Sequence, residues 1–136
     1  MKRLALLISF IFLSVSLISL RAQPYDAEKV NKKAIPLFNE AMAKVEDGKG
    51  LDAVPLLKQA LDKDSRYMDA WLLLAAIYSD HKKYDDCIAA YEKAFAIDPV
   101  YSFEYKLPYS IAFAGKGEFE KALESINSLL AAPKLN

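Results

Sequence analysis

Residues 71–99 read WLLLAAIYSDHKKYDDCIAAYEKAFAIDP, and this stretch decides the fold. Leu74, Ala75 and Tyr78 follow Trp71 by three, four and seven residues, which is the spacing of one face of a helix. Ala75 supplies a small side chain where two helix axes would approach closely, and the larger side chains fill the space around it. The first half of the stretch therefore predicts a helix that packs closely on a second one.

The second half of the stretch predicts that second helix. Cys87, Tyr91 and Ala94 continue the alternation of small and large side chains at helical spacing. Asp98-Pro99 ends the helix, because the residue before a proline is driven out of the helical region. The polar residues between the two halves supply a turn, so the stretch predicts an antiparallel helix pair.

The small residues recur at a period of 34 or 35 residues. Ala75 has counterparts at Ala41 and Ser110, and Cys87 has counterparts at Ala53 and Ala122. Three helix pairs are therefore predicted, over residues 34–67, 68–101 and 103–136. Because Glu40 and Lys44 stand where the first pair needs apolar residues, a register shifted by one residue, onto Phe38, Met42 and Val45, stays open.

The stretch from Trp71 to Pro99 resembles the tetratricopeptide repeat, a 34-residue helix-turn-helix unit. The resemblance implies an all-α fold, an α-solenoid of about three antiparallel repeats that binds other proteins and carries out no catalysis. The residues expected to pack the repeats together are Ala41, Ala53, Trp71, Leu74, Ala75, Tyr78, Cys87, Tyr91, Ala94, Pro99 and Ala122.

The resemblance also implies a binding groove on the first helices of the repeats. The positions that line this groove in the family are here mostly apolar, with one acid at the rim: Phe38, Met42, Leu72, Ala76, Asp80, Leu107 and Ile111. Leu72 and Ala76 stand where relatives that capture acidic chaperone peptides carry Lys, Arg or Asn, so a carboxylate clamp is not expected. The alternative is that a neighbouring segment of the same polypeptide fills the groove.

Residues 1–22 have the features of a secretory signal peptide. Lys2 and Arg3 precede an uncharged run from Leu4 to Leu20, and Ala22 is a suitable residue before a cleavage site. The alternative is an uncleaved membrane anchor, since the run is near the lower length limit for spanning a bilayer. We expect an exported protein, periplasmic or associated with the outer envelope of a bacterium, in which residues 23–33 form a lead-in with a short helix.

Composition argues against several other functions. Loss of residues 1–22 removes three basic residues and leaves 15 basic against 18 acidic side chains, a net charge of −3, so nucleic acid is not an expected partner. Cys87 is the only cysteine and His81 the only histidine, and no carboxylate pair stands among apolar residues. We therefore expect no catalytic site, no metal site and no cofactor.

The prolines bear on where the helices begin. Pro36 predicts a helix start near Ile35, and Pro55 is expected in the first turn of its helix. Pro108 predicts a kink, with a helix start as the alternative. The helix that contains Pro108 would be followed by a last helix over residues 118–131. Without a capping element, the third repeat would expose apolar residues, which predicts self-association or a continuing chain.

A signal peptide followed by such repeats is similar to the N-terminal part of larger bacterial envelope proteins, which add a β-propeller and an outer-membrane protein A-like domain. We expect an interaction module or scaffold whose partners are envelope proteins. Two alternatives are a structural spacer in a peptidoglycan-anchored envelope protein and an accessory domain of an exported enzyme. Contact with a membrane is expected only through residues 1–22, if they are retained.

Overall fold

The computed structural model describes residues 24–131, and within them it contains six α-helices and no strand. The predicted signal peptide and residues 132–136 of the third predicted repeat lie outside the described residues. Each helix packs against the next one along the chain. The predicted all-α solenoid is confirmed. Its helices are α1 (Ile35–Glu46), α2 (Gly50–Lys63), α3 (Met68–Asp80), α4 (Tyr84–Ile97), α5 (Lys106–Gly115) and α6 (Phe119–Leu130).

The three helix pairs share one turn geometry. Gly48, Lys82 and Gly117, separated by 34 and 35 residues, all have positive φ angles, of 73°, 56° and 81°. In each turn, the residue that follows the positive-φ position donates its N–H to the carbonyl oxygen of the residue five positions before itself. In the second pair this hydrogen bond runs from Lys83 to Tyr78 and is 2.8 Å long. This is the Schellman arrangement that ends many helices. The shared turn fixes the register of the first pair, so the alternative register shifted by one residue is wrong.

The small residues lie where the helices cross. Ala41, Ala75 and Ser110 are at most 1% exposed, as are Ala53 and Cys87. Close approach of the helix axes explains why larger side chains are absent from these positions, since a well-packed interior has no room for added methylene groups. The other buried members of the predicted packing set are Leu74, Tyr78, Tyr91, Ala94 and Ala122, whereas Trp71 is half-buried and Pro99 is exposed.

The structure confirms the predicted place of one proline in its helix and contradicts the prediction for two others. Helix α1 begins at Ile35, as predicted from Pro36. Pro108 lies in the first turn of α5, where N–H groups have no acceptor within the helix, so the predicted kink is wrong. Pro55 is the sixth residue of α2 and not in its first turn, so the carbonyl of Leu51 lacks the usual helical donor.

The lead-in before α1 consists of short turns joined by irregular backbone. Among residues 24–34, the regular helical structure is one 3-10 turn, Ala27–Lys29, so the short helix expected in the lead-in is reduced to a single turn. The N–H of Asn31 donates to Asp64 Oδ2 at 2.9 Å, and the N–H of Tyr25 donates to Asp98 Oδ2 at 2.9 Å. The two aspartates follow α2 and α4 directly and are 34 residues apart, so the lead-in is held by equivalent positions of two repeats.

Candidate protein-binding face

The residues predicted to line the groove lie on the first helix of each pair, α1, α3 and α5, but their exposure differs from pair to pair. Phe38 and Met42 on α1 are half-buried, and Ala76 and Asp80 on α3 are exposed. On α5, Leu107 is 48% exposed and Ile111 is 55% exposed. The apolar surface available to a partner is therefore greatest at the third pair.

Two of the predicted groove residues are engaged within the protein. The ring of Phe38 packs on Tyr67, with 4.9 Å between the ring centroids. Leu72 is only 7% exposed, because its side chain belongs to the core. A large part of each side chain is thus used for packing between repeats. The sequence pattern could not show this, since the same helical position is buried in one pair and exposed in another.

An acidic residue at the edge of this face is occupied by the lead-in. The hydroxyl of Tyr25 donates to Asp69 Oδ2 at 2.8 Å, and the Tyr25 ring meets Tyr101 edge-on at 5.3 Å. Burial and the neighbouring Asp69 raise the pKa of Tyr25 above its usual range, so the hydroxyl stays protonated and keeps donating. A segment of the same chain therefore covers the edge of the face at Asp69, whereas Leu107 and Ile111 stay exposed.

An aromatic cluster joins the second and third pairs. The Tyr109 ring stands edge-on to Phe95 at 5.1 Å and to Phe113 at 4.9 Å, and Lys106 Nζ lies 4.3 Å from the centre of the Phe95 ring. Edge-on rings and a cation over a ring face are favourable arrangements of aromatic quadrupoles. Burial raises the pKa of Tyr91 and of Tyr109 to about 12. These contacts hold α5 firmly against α4 and so fix the position of its exposed face.

Trp71 is half-buried, unlike the core residues around it. Its indole Nε1 donates to the carbonyl of Ser65 at 3.0 Å, and its ring lines an open cleft with Leu61 and Ala89. The hydrogen bond ties α3 to the loop that follows α2. Trp71 therefore contributes to the contact between the first and second pairs while part of its ring remains accessible.

Cys87 is a packing residue in this structure. It is fully buried, and burial raises the pKa of its thiol to about 11, which keeps the group protonated and unreactive as a nucleophile near neutral pH. Within residues 24–131, no three His, Cys, Asp or Glu side chains converge as metal ligands. In the same part of the chain, none of the helices combines the length and the apolar character needed to cross a bilayer.

Comparison with known proteins identifies the repeat. Residues 44–107 match the family model of the tetratricopeptide repeat. The matched segment runs from the end of α1 to the beginning of α5 and includes the whole of the second pair. No curated protein matches the chain. Repeats of this kind generally mediate protein–protein interactions through the surfaces that stacking creates. The match covers just under half of the chain, and it shows that the segment from the end of α1 to the beginning of α5 is similar to tetratricopeptide repeats.

Proposed function

We propose that this protein is an exported interaction module that binds a partner protein through the first helices of its repeats. Export is supported by the basic start, the uncharged run and Ala22 in residues 1–22. The proposed partner is an envelope protein, because an exported bacterial protein meets its partners there. The repeat family supports binding as the general role.

The observation that carries this proposal is the exposure of apolar side chains on α5. Leu107 and Ile111 are four residues apart, and such residues form neighbours on one helix face. They are 48% and 55% exposed, although the rest of α5 is held rigidly against α4. Apolar residues on a rigid helix face are the usual receptors for an amphipathic helix or an extended apolar segment. We therefore propose an apolar partner segment that contacts Ile111.

The acidic surroundings support a preference among such segments. Asp80 is exposed at the end of α3, and Glu104 is exposed just before α5. The family members that capture acidic peptides use basic groove residues, which are absent from the corresponding positions Leu72 and Ala76. A partner segment with apolar residues flanked by Lys or Arg would satisfy both the apolar face and its acidic rim.

The test uses the variant Ile111→Glu. The protein is produced with residues 1–22 and a C-terminal tag, and proteins captured from envelope extract are compared between wild type and variant. We expect capture of the specific partner to fall at least tenfold, because a carboxylate replaces an apolar contact. Leu51→Glu, on an exposed leucine of α2, is the matched control and should capture as wild type does. Equal capture by Ile111→Glu in a folded protein would overturn the proposed site.

Leu72→Glu is unsuitable for this test. Leu72 is 7% exposed, so a carboxylate there would be buried without a partner and would destabilise the fold. Loss of binding in that variant would report unfolding and not loss of contact. Ile111 and Leu51, which are both more than 40% exposed, avoid this problem.

A further inference from the structure

Helix α6 carries an exposed apolar stripe that the proposed groove does not use. Phe119, Leu123 and Leu130 are 69%, 58% and 76% exposed, and Ile126 between them is half-buried. We call these four residues the α6 stripe. Their spacing of four, three and four residues places them along one narrow seam of the helix, as in a coiled coil. A different face of α6, containing Ala122 and Ser125, packs against α5.

The equivalent positions in the earlier pairs are covered by the next pair. Ile88 is 8% exposed, whereas its counterpart Leu123 is 58% exposed. Leu61 is 6% exposed, whereas its counterpart Leu130 is 76% exposed. The α6 stripe thus continues an interface that the fold already forms twice, and its chemistry is that of a surface that receives another helix.

The opposite end of the stack does not fit this surface. Helix α3 presents Leu74 and Tyr78 to the pair before it, and helix α5 does the same with the residues 35 positions later. Helix α1 has Glu40 and Lys44 at those positions, and Glu40 is exposed. Placing these charges on the α6 stripe would desolvate them without partners, which is costly. A head-to-tail chain of copies, with α1 of one on α6 of the next, is therefore disfavoured.

The α6 stripe is complementary to itself when two copies run antiparallel. Its spacing reads the same in both directions about a midpoint between residues 124 and 125. Around a two-fold axis at that midpoint, Phe119 faces Leu130 of the second copy and Leu123 faces Ile126 of the second copy. Beside the seam, Glu120 is then flanked by Asn127 of the second copy and not by another carboxylate.

We propose that the protein forms a symmetric dimer in which the α6 stripes of two copies pack antiparallel. Each copy offers the same patch to the other, as a closed two-fold interface requires. The stripe is on α6 and the proposed groove on α5, so the dimer does not rest on the proposed function. Dimerisation would present two groove faces in one particle, which raises avidity for a partner with repeated binding segments.

The register is tested by disulfide formation between Phe119→Cys and Leu130→Cys variants of the full chain. In the proposed dimer these positions face each other, whereas two copies of residue 119 lie roughly 16 Å apart along the helix axis. Under mild oxidation we expect a mixture of the two variants to form a covalent dimer, and each variant alone to form at least tenfold less. The buried native Cys87 should not contribute, and Leu51→Cys mixed with either variant is the matched control.

The association itself is tested by sedimentation equilibrium of the same chain. We expect wild type and Leu51→Glu to be dimeric at about 100 µM, and Leu123→Glu to be monomeric with an unchanged circular dichroism spectrum. A monomeric wild type at that concentration would overturn the proposal and indicate that another helix covers the stripe. Covalent dimers of Phe119→Cys with itself, at the yield of the mixture, would overturn the antiparallel register.

Discussion

Asp98 is one of three aspartates that bind the lead-in to the repeats. Its Oδ1 accepts the N–H groups of Val100 and Tyr101, and its Oδ2 accepts the N–H of Tyr25. The N–H groups of Tyr101 and Tyr25 hold the pKa of this carboxyl below its usual range. This stabilisation is present at neutral pH and is lost as the pH falls below about 4, because the unfolded chain then takes up the proton first.

Substitution Asp98→Ala removes the acceptor for all three N–H groups. We expect it to lower the free energy of unfolding by about 1–2 kcal/mol, since a charged acceptor makes stronger hydrogen bonds than a neutral one. Urea denaturation measures the change. The matched control is Asp62→Ala on the exposed side of α2, which should change stability by less than about 0.5 kcal/mol. An equal effect of the two substitutions would contradict the role of Asp98.

Buried tyrosine and thiol groups predict a loss of stability in alkaline solution. The pKa of Tyr91 and of Tyr109 is raised to about 12 and that of Cys87 to about 11, mainly by burial. In the unfolded chain, tyrosine and thiol lose their protons near pH 10 and about 8.5. The unfolded state therefore releases protons first, and stability should be complete below about pH 8.5 and should decrease above it.

The alkaline prediction is measured as the urea midpoint at a series of pH values. We expect the midpoint to fall steadily between about pH 9 and 11. The variant Tyr109→Phe keeps the ring contacts with Phe95 and Phe113 and removes one titrating group. It should show a smaller fall over the same range. A midpoint that stays constant to pH 11 would mean that these groups become accessible without unfolding.

At the level of the turns, Lys82 is the exception among three equivalent positions. Gly48 and Gly117 occupy the left-handed conformation in the other pairs, and Lys82 adopts it with a φ of 56°. A side chain with a Cβ atom is disfavoured in this region. We expect Lys82→Gly to raise the free energy of unfolding by about 0.5–1 kcal/mol, as measured by urea denaturation.

The matched control for Lys82→Gly is the reverse change at an equivalent turn. Nothing lies within 4 Å of a Cβ atom built on Gly48, so Gly48→Ala tests the backbone conformation without a steric clash. It should lower the free energy of unfolding by about 1 kcal/mol. If Lys82→Gly destabilises the protein, the lysine side chain contributes a contact that offsets its backbone strain.

The helices themselves were largely predictable from local patterns, and the errors have local causes. The period of small residues and the stop at Asp98-Pro99 predicted the antiparallel pair of α3 and α4, and α4 ends at Ile97, directly before that stop. The sequence did not reveal that α2 begins at Gly50, which moves Pro55 beyond the first turn. It also did not reveal the short 3-10 turn Phe103–Tyr105, which precedes α5 and lets Pro108 fall in that helix's first turn.

At the scale of the whole molecule, stacking decides which equivalent residues are exposed. Leu72 and Leu107 stand at the same repeat position, yet their exposures are 7% and 48% because only Leu72 has a following pair in the described chain. A repeat pattern assigns both residues to one face and cannot distinguish them. Glu40 on α1 is exposed for the same reason, since no pair precedes α1 within residues 24–131.

The proposed function requires that a partner protein binds at the exposed face of α5. The most direct measurement replaces Ile111 by a photo-crosslinking amino acid in living cells, with Leu51 replaced in the same way as the control. We expect a discrete crosslinked adduct with an envelope protein from position 111 and none from position 51. The same adduct at equal yield from both positions, or no adduct from position 111, would contradict it.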